Sequence, residues 1–222
     1  IYQLLKLLLS HNVLTLINCN NYAEKIEKDR ASEIGGLCGR IYAYYGKVVV
    51  KNCNNHSKLI IKSGDYVGGL FGIITEADLT VENCNNFKDV ELYSGSYIGG
   101  LFGSLDSCTV VNLSNLNNYG KINGMDSRYA GGISGEIYLR GISDSVANSF
   151  TNLHNFGEIV NSGGNYVGGI VGYLSGLDGN VAIDKCYNKG DISVKTSSVK
   201  IGGIIGQENC DVYVTETYNI GN

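Results

Sequence analysis

From residue 14 onward, apolar and polar residues alternate over short runs, and the runs recur along the whole chain. Seven tripeptides set the phase: Cys19-Asn20-Asn21, Cys53-Asn54-Asn55, Cys84-Asn85-Asn86, Leu116-Asn117-Asn118, Leu153-His154-Asn155, Cys186-Tyr187-Asn188 and Thr217-Tyr218-Asn219. Three residues before them stand Leu16, Val50, Val81, Leu113, Phe150, Ile183 and Val214. Five before stand Leu14, Val48, Leu79, Val111, Asn148, Val181 and Val212. That is period two, the pattern of a strand with one buried face. Six residues after each tripeptide begins comes Leu59, Val90, Ile122, Ile159 or Ile192; one extra residue in the first copy brings Ile26 to that place.

A second signature, Gly-Gly-aliphatic-x-Gly, begins at Gly35, Gly68, Gly99, Gly131, Gly168 and Gly202, with spacings of 33, 31, 32, 37 and 34 residues. The residues on either side of each glycine pair are apolar in five copies and in the sixth as well (Ile34 and Leu37, Val67 and Leu70, through Ile201 and Ile204). Three positions apart, they would face opposite ways on a flat strand. A bulge or corner at Gly-Gly turns both inward, and glycine suits it by allowing positive φ or close backbone approach. Gly100 sits at such a corner and Gly95 in a surface turn, so valine should be far better tolerated at 95.

Each copy therefore carries about three short strands and no helical period. The simplest fold winds each copy once around a prism, with each strand paired in parallel to its equivalent about 4.8 Å away. The expected class is all-β: a right-handed parallel β-helix, or β-solenoid, of about six coils. Equivalent residues then stack, so Asn21, Asn55, Asn86, Asn118, Asn155, Asn188 and Asn219 form an amide ladder. A propeller, with four strands and about 40–50 residues per blade, is the alternative. Residues 14–222 form the repeat array, which stops mid-pattern. Residues 1–13 are read as an N-terminal cap or degenerate coil; the apolar stretch from Ile1 to Ile17 is too short and too interrupted to span a bilayer.

The pentads resemble the GLUG motif, named for its glycine-leucine-variable-glycine core. Gly68-Gly69-Leu70-Phe71-Gly72, residues 99–103 and residues 168–172 carry the likeness, as do Tyr66-Val67, Tyr97-Ile98 and Tyr166-Val167 before them and the block Asn118-Tyr119-Gly120-Lys121-Ile122. The resemblance covers nearly all of 14–222. Such repeats look like those of bacterial surface adhesins and of the non-catalytic regions of immunoglobulin-A-cleaving metallopeptidases. The implied context is a larger secreted or cell-surface protein in which this segment is a structural or adhesive stalk that continues into further domains. The implied partner is an unknown glycan or a host or cell-surface protein.

Composition narrows the alternatives. Proline and tryptophan are absent and glycine numbers 31, which suits strands that need every N–H. The net charge of −4 with no basic cluster argues against nucleic acid, and direct membrane insertion is not expected. Four of the seven cysteines (Cys19, Cys53, Cys84, Cys186) share one position with Leu116, Leu153 and Thr217. Leucine in that column points to the core, where a free thiol serves as a small hydrophobe. Disulfides between stacked copies would need side chains that point the same way to meet. The three histidines never show metal-site spacing, and no phosphate loop or nucleophile elbow occurs, so no cofactor, metal or catalytic residue is expected.

Two columns could carry chemistry. Glu24, Lys58, Asp89, Lys121, Glu158 and Asp191 stand five residues after each tripeptide begins. Alternating signs suit weak cross-coil pairing. Glu158 over Asp191, about 5 Å apart, would match a retaining glycosidase, so a carbohydrate-active enzyme (polysaccharide lyase or glycoside hydrolase) is the alternative function. No further acid converges there. Tyr66, Tyr97, Tyr129 and Tyr166 form the other column, bounded by Glu33 and Lys200. Exposed, these rings could hold a glycan or a peptide; stacked on one another, they would only stabilise the coils.

Overall fold

In the computed structural model, which describes residues 7–8, 13–140, 147–196 and 199–222, every described strand pairing is parallel and no helix occurs among those residues. The coils stack as a β-solenoid of about six turns, held in a 14-stranded and an 11-stranded sheet. Register follows the repeat. Leu16 pairs with Val50, Val81 with Leu113, and Phe150 with Ile183. Ile26 pairs with Leu59, as the extra residue in the first copy requires. Leu7–Leu8 is extended and pairs with Ile41–Tyr42, so that part of the first segment is strand; residues 1–6, 9–12 and part of the long insertion before Ala147 lie outside the described residues.

The strands are longer than the three short runs the apolar pattern predicts. Phe71–Asn86 has 16 residues and Cys38–Lys51 has 14. Within them the chain turns at residues with a left-handed backbone, Glu76 and Asn83 in the first and Tyr44 and Tyr45 in the second, and the same conformation recurs at one place in each coil. Asn18, Asn52, Asn83, Asn115, Asn152, Lys185 and Glu216 all have φ between 43° and 57°. Each immediately precedes a tripeptide. Asparagine tolerates this conformation better than most residues and fills five of the seven places. The corner it creates turns the chain between the column at Leu113 and the column at Leu116, both of which stay buried.

The interior is divided in two. A large core holds Val81, Leu113, Leu116, Leu70, Leu101 and the stacked Phe71 and Phe102, whose ring centres lie 6.0 Å apart. A small core holds Leu59, Val90, Ile122, Val67 and Ile98. The residues on either side of each Gly-Gly thus do both point inward, but into different cores. Between the cores the coil is pinched: the second glycine of each pair lies against the asparagine of the following tripeptide. A Cβ on Gly36, Gly69, Gly100, Gly132, Gly169 or Gly203 would overlap the side chain of Asn55, Asn86, Asn118, Asn155, Asn188 or Asn219. No glycine among the described residues has positive φ, so close approach alone is what requires glycine here. Gly95 is no freer than Gly100, because its Cβ would overlap the Gly64 carbonyl of the preceding coil.

The asparagine ladder is complete. Each Nδ2 donates to the Oδ1 above: Asn21 to Asn55 at 3.0 Å, Asn55 to Asn86 at 2.9 Å, Asn86 to Asn118 at 2.9 Å and Asn118 to Asn155 at 2.8 Å. It continues through Asn188 to Asn219, both steps at 2.7 Å. The second amide proton goes to a carbonyl two residues on, as from Asn118 to Gly120 at 2.8 Å. Asn55, Asn86, Asn118, Asn155 and Asn188 are wholly buried, and this saturation is what makes burying five amides tolerable. Replacing Asn118 with Ala should strand the Asn86 amide proton and the Gly120 carbonyl, at about 1–3 kcal/mol for each group left unpaired. Asn117→Ala, one residue away in a half-exposed outer amide row, should cost clearly less because water can replace the lost bond. Denaturant melts of the two variants compare them directly, and equal losses would remove the buried ladder as the main tie.

Candidate functional site

The four tyrosines fall in one column in the order read from the sequence: Tyr66, Tyr97, Tyr129 and Tyr166 are register partners, with Glu33 below and Lys200 above. Their rings stack nearly parallel, with centres 4.8, 4.9 and 5.3 Å apart. Tyr173 closes the upper end against Tyr129 and Tyr166. All are half-buried, and burial pushes the Tyr66, Tyr97 and Tyr129 hydroxyls above their ordinary pKa. Each inner ring has a neighbour on both faces, so only edges meet solvent. Stacking a sugar face on a ring face is closed to them.

Beside the tyrosines runs the column of Arg40, Ile73, Ser104, Glu136, Tyr173 and Gln207. Ile73 belongs to neither core cluster, yet it and Ser104 are buried, and Tyr173 of this column stacks on Tyr129 and Tyr166 of the other. The ends are tied by charge: Arg40 bonds Glu33 at 2.9 Å, and Lys200 donates to Gln207 at 2.7 Å while lying over the Tyr166 ring at 5.4 Å. Glu136 is held there by the Ser104 hydroxyl, which donates at 3.0 Å. Burial, reinforced by Asp106 and opposed by that hydrogen bond, pushes its carboxyl up to about 7.

A second aromatic column escaped the sequence reading. Immediately after each tripeptide stand Tyr22, His56, Phe87, Tyr119 and Phe156, stacked at 4.8, 4.6, 5.2 and 4.8 Å. It is more open than the first: Tyr22 is 74% exposed and Tyr119 46%. Lys189 caps it over Phe156 at 5.5 Å, and His154, Tyr187 and Tyr218 extend it sideways. The signal was present at one position past the asparagine, hidden because histidine, lysine and isoleucine share the column. The ring faces of His56, Phe87 and Tyr119 are likewise taken by neighbours.

In the thiol column Cys53, Cys84 and Cys186 are buried as expected and Cys19 is half-buried, and all seven cysteines are free. They do more than fill space. Cys53 Sγ and Cys84 Sγ each accept the backbone N–H of the preceding coil at 3.4 Å, and each thiol donates to the carbonyl two residues back at 3.2 Å. The Thr217 hydroxyl does the same for Cys186 at 3.2 Å, which explains threonine in this column. Burial raises the Cys186 thiol to about 11 and Cys108 to about 12, leaving both inert as nucleophiles.

In the charged column the place given to Glu24 belongs to Lys25, which pairs in register with Lys58; the extra residue in the first copy shifts it. The alternation of sign is therefore lost at that end. Lys121 bonds Glu158 across coils at 2.8 Å, but Lys58 bonds Glu91 rather than Asp89. Asp191 accepts the Asn222 N–H at 2.9 Å. Glu158 and Asp191 are each engaged elsewhere. Among the described residues no three His, Cys, Asp or Glu side chains are grouped to hold a metal, and no helix is long and apolar enough to cross a membrane.

An open trough of about 750 Å³ lies where the second and third strands of successive coils meet. Gly64 and Gly95 are among the residues that line it. Arg30, Ser63, Asp65, Ser94, Ser96, Asp126, Arg128 and Asn165 supply its polar and charged side chains.

No protein family, curated protein or solved structure compared with the chain matches it. The resemblance to GLUG repeats therefore rests on the residues quoted above.

Glu136 offers a test of the packing beside the tyrosines. Its folded pKa of about 7 lies above the ordinary 4.5. The stability of the neutral form is fully present below pH 4.5 and is lost as pH rises through 7. Glu136→Gln removes that titration. Its melting temperature should stay flat between pH 5 and 8 while that of the unaltered protein falls. Parallel curves for the two would mean that Glu136 is solvated.

Proposed function

We propose that this chain is a non-catalytic, structural or adhesive repeat segment of a larger secreted or cell-surface bacterial protein, acting as a stalk or binding surface. The observation that carries this reading is the unbroken ladder from Asn21 to Asn219, in which each coil is bonded to the next through a buried, saturated amide. A chain organised this way resists bending and length change, and its stability grows by nearest-neighbour terms as coils are added. Those are the properties of a spacer. The GLUG resemblance supplies the secreted setting. Of the two roles open to Tyr66, Tyr97, Tyr129 and Tyr166, cohesion is the better supported, because their faces are closed on one another.

The competing reading is an enzyme acting on polysaccharide. Incubating the purified protein with a panel of polysaccharides should release neither reducing ends nor unsaturated products. Replacing Glu158 by Gln together with Asp191 by Asn should change stability by no more than about 1 kcal/mol, as expected for exposed charges. Tyr97→Ser with Tyr129→Ser should lower the melting temperature while adhesion per folded molecule to a glycan or host-protein surface persists. Turnover that the carboxylate pair abolishes would overturn the spacer reading.

A further inference from the structure

Nearly every outward column closes on itself: amides bond amides, rings cover rings, and lysines meet carboxylates. The trough departs from this rule. The side chains of Arg30, Asp65 and Asp126 make no hydrogen bond or ion pair with any described residue, and the Arg128 guanidinium lies over the Tyr129 ring at 6.0 Å. These groups face a shared open space.

We propose that the trough is a binding site for an uncharged linear oligosaccharide laid along the solenoid axis. The assignment rests on reading the chain as a secreted, surface-exposed module. The trough crosses five successive coils, from Arg30 to Asn165, or four rungs of about 4.8 Å and thus roughly 19 Å. Its lining is hydroxyl, amide, carboxylate and guanidinium, with no large apolar side chain. Carboxylate, amide and guanidinium are planar groups that present two acceptors or donors side by side, the arrangement that meets a pair of neighbouring sugar hydroxyls. Ser63, Ser94 and Ser96 add groups that can both donate and accept.

The same features disfavour other occupants. An amphipathic helix or a lipid needs apolar walls, and none are present. An extended peptide that adds to a sheet needs an open edge. Here the strands that line the trough are already paired from coil to coil, as in Gly64 N–H to Ser94 O at 3.0 Å and Gly95 N–H to Asp126 O at 3.3 Å. Two arginines against two aspartates leave no net charge to draw a polyanion or polycation.

The test is calorimetric titration of the intact protein with cellohexaose, chitohexaose and mannohexaose, with hexagalacturonate as the charged comparator. At least one neutral hexasaccharide should bind saturably and uncleaved. The double variant Asp126→Ala with Arg128→Ala should weaken that affinity at least tenfold. So should Ser94→Phe, which obstructs the trough from an exposed position; circular dichroism melts confirm that both variants fold. Three results would overturn the proposal: no binding of any neutral probe, affinity unchanged in both folded variants, or tighter binding of hexagalacturonate. The first leaves the spacer reading intact. Cleavage of a bound probe would overturn both readings.

Discussion

The close contact between an asparagine amide and a backbone glycine, repeated in every coil, is the constraint on which the rest of this structure depends. Asn118 against Gly100 and Asn155 against Gly132 pinch the coil into two apolar compartments. The pinch fixes where the chain reverses, and so which residues face each core. Any side chain on the glycine would push the amide off its neighbours. Once one amide moves, the ladder loses a donor on one side and an acceptor on the other, in an interior that water does not reach. Six glycines and seven asparagines thus act as one device. Its cooperativity runs along the axis.

Outside that waist the same logic gives ladders of other kinds. The buried amides donate toward the C-terminal coils, as from Asn21 to Asn55, whereas the outer row donates the opposite way, from Asn54 to Asn20 and from Asn85 to Asn54, both at 2.8 Å. The two rows therefore carry opposed dipoles. The buried direction is set locally, since each Nδ2 also reaches a carbonyl two residues on. Asn148 shows how a defect is patched: standing where other coils have valine or leucine, it accepts the Val111 N–H at 2.8 Å and donates to the Asn180 carbonyl at 3.3 Å. One polar side chain thereby splices the lengthened coil to its neighbours.

Fold class, coil count, register and the buried asparagine column were legible in the sequence because each is a repeat property. One pentad and one tripeptide repeating in phase determine them. What was not legible depends on distances across the coil. Periodicity put a corner at Gly-Gly but could not reveal that Asn86 packs against Gly69, so positive φ was as good a reason for glycine as close approach. Asparagine at 18, 52, 83, 115 and 152 was in plain view, yet its left-handed conformation is a backbone fact with no apolar signature. The exposed column from Tyr22 to Phe156 was missed because mixed residue types conceal a shared position. Glu24 was misplaced by a single insertion, which flips every later side chain until the register recovers.

The tyrosines show why a column in sequence is not yet a site. Four rings at rung spacing must either splay outward, leaving their faces free, or lie flat on one another. Tyr66 and Tyr97 lie within 3° of parallel at 4.8 Å, so they take the second arrangement. The faces that would have bound a ligand bind the next coil instead. The argument generalises along the solenoid: a column of identical residues satisfies itself, whereas a column of unlike residues cannot. In the trough serine, aspartate, arginine and asparagine follow one another from rung to rung, and among these side chains only Ser63 and Ser94 set like on like. A recognition function in a stacked-coil protein is therefore to be sought where the repeat is least faithful, and here that place is the stretch of turns between Arg30 and Asn165.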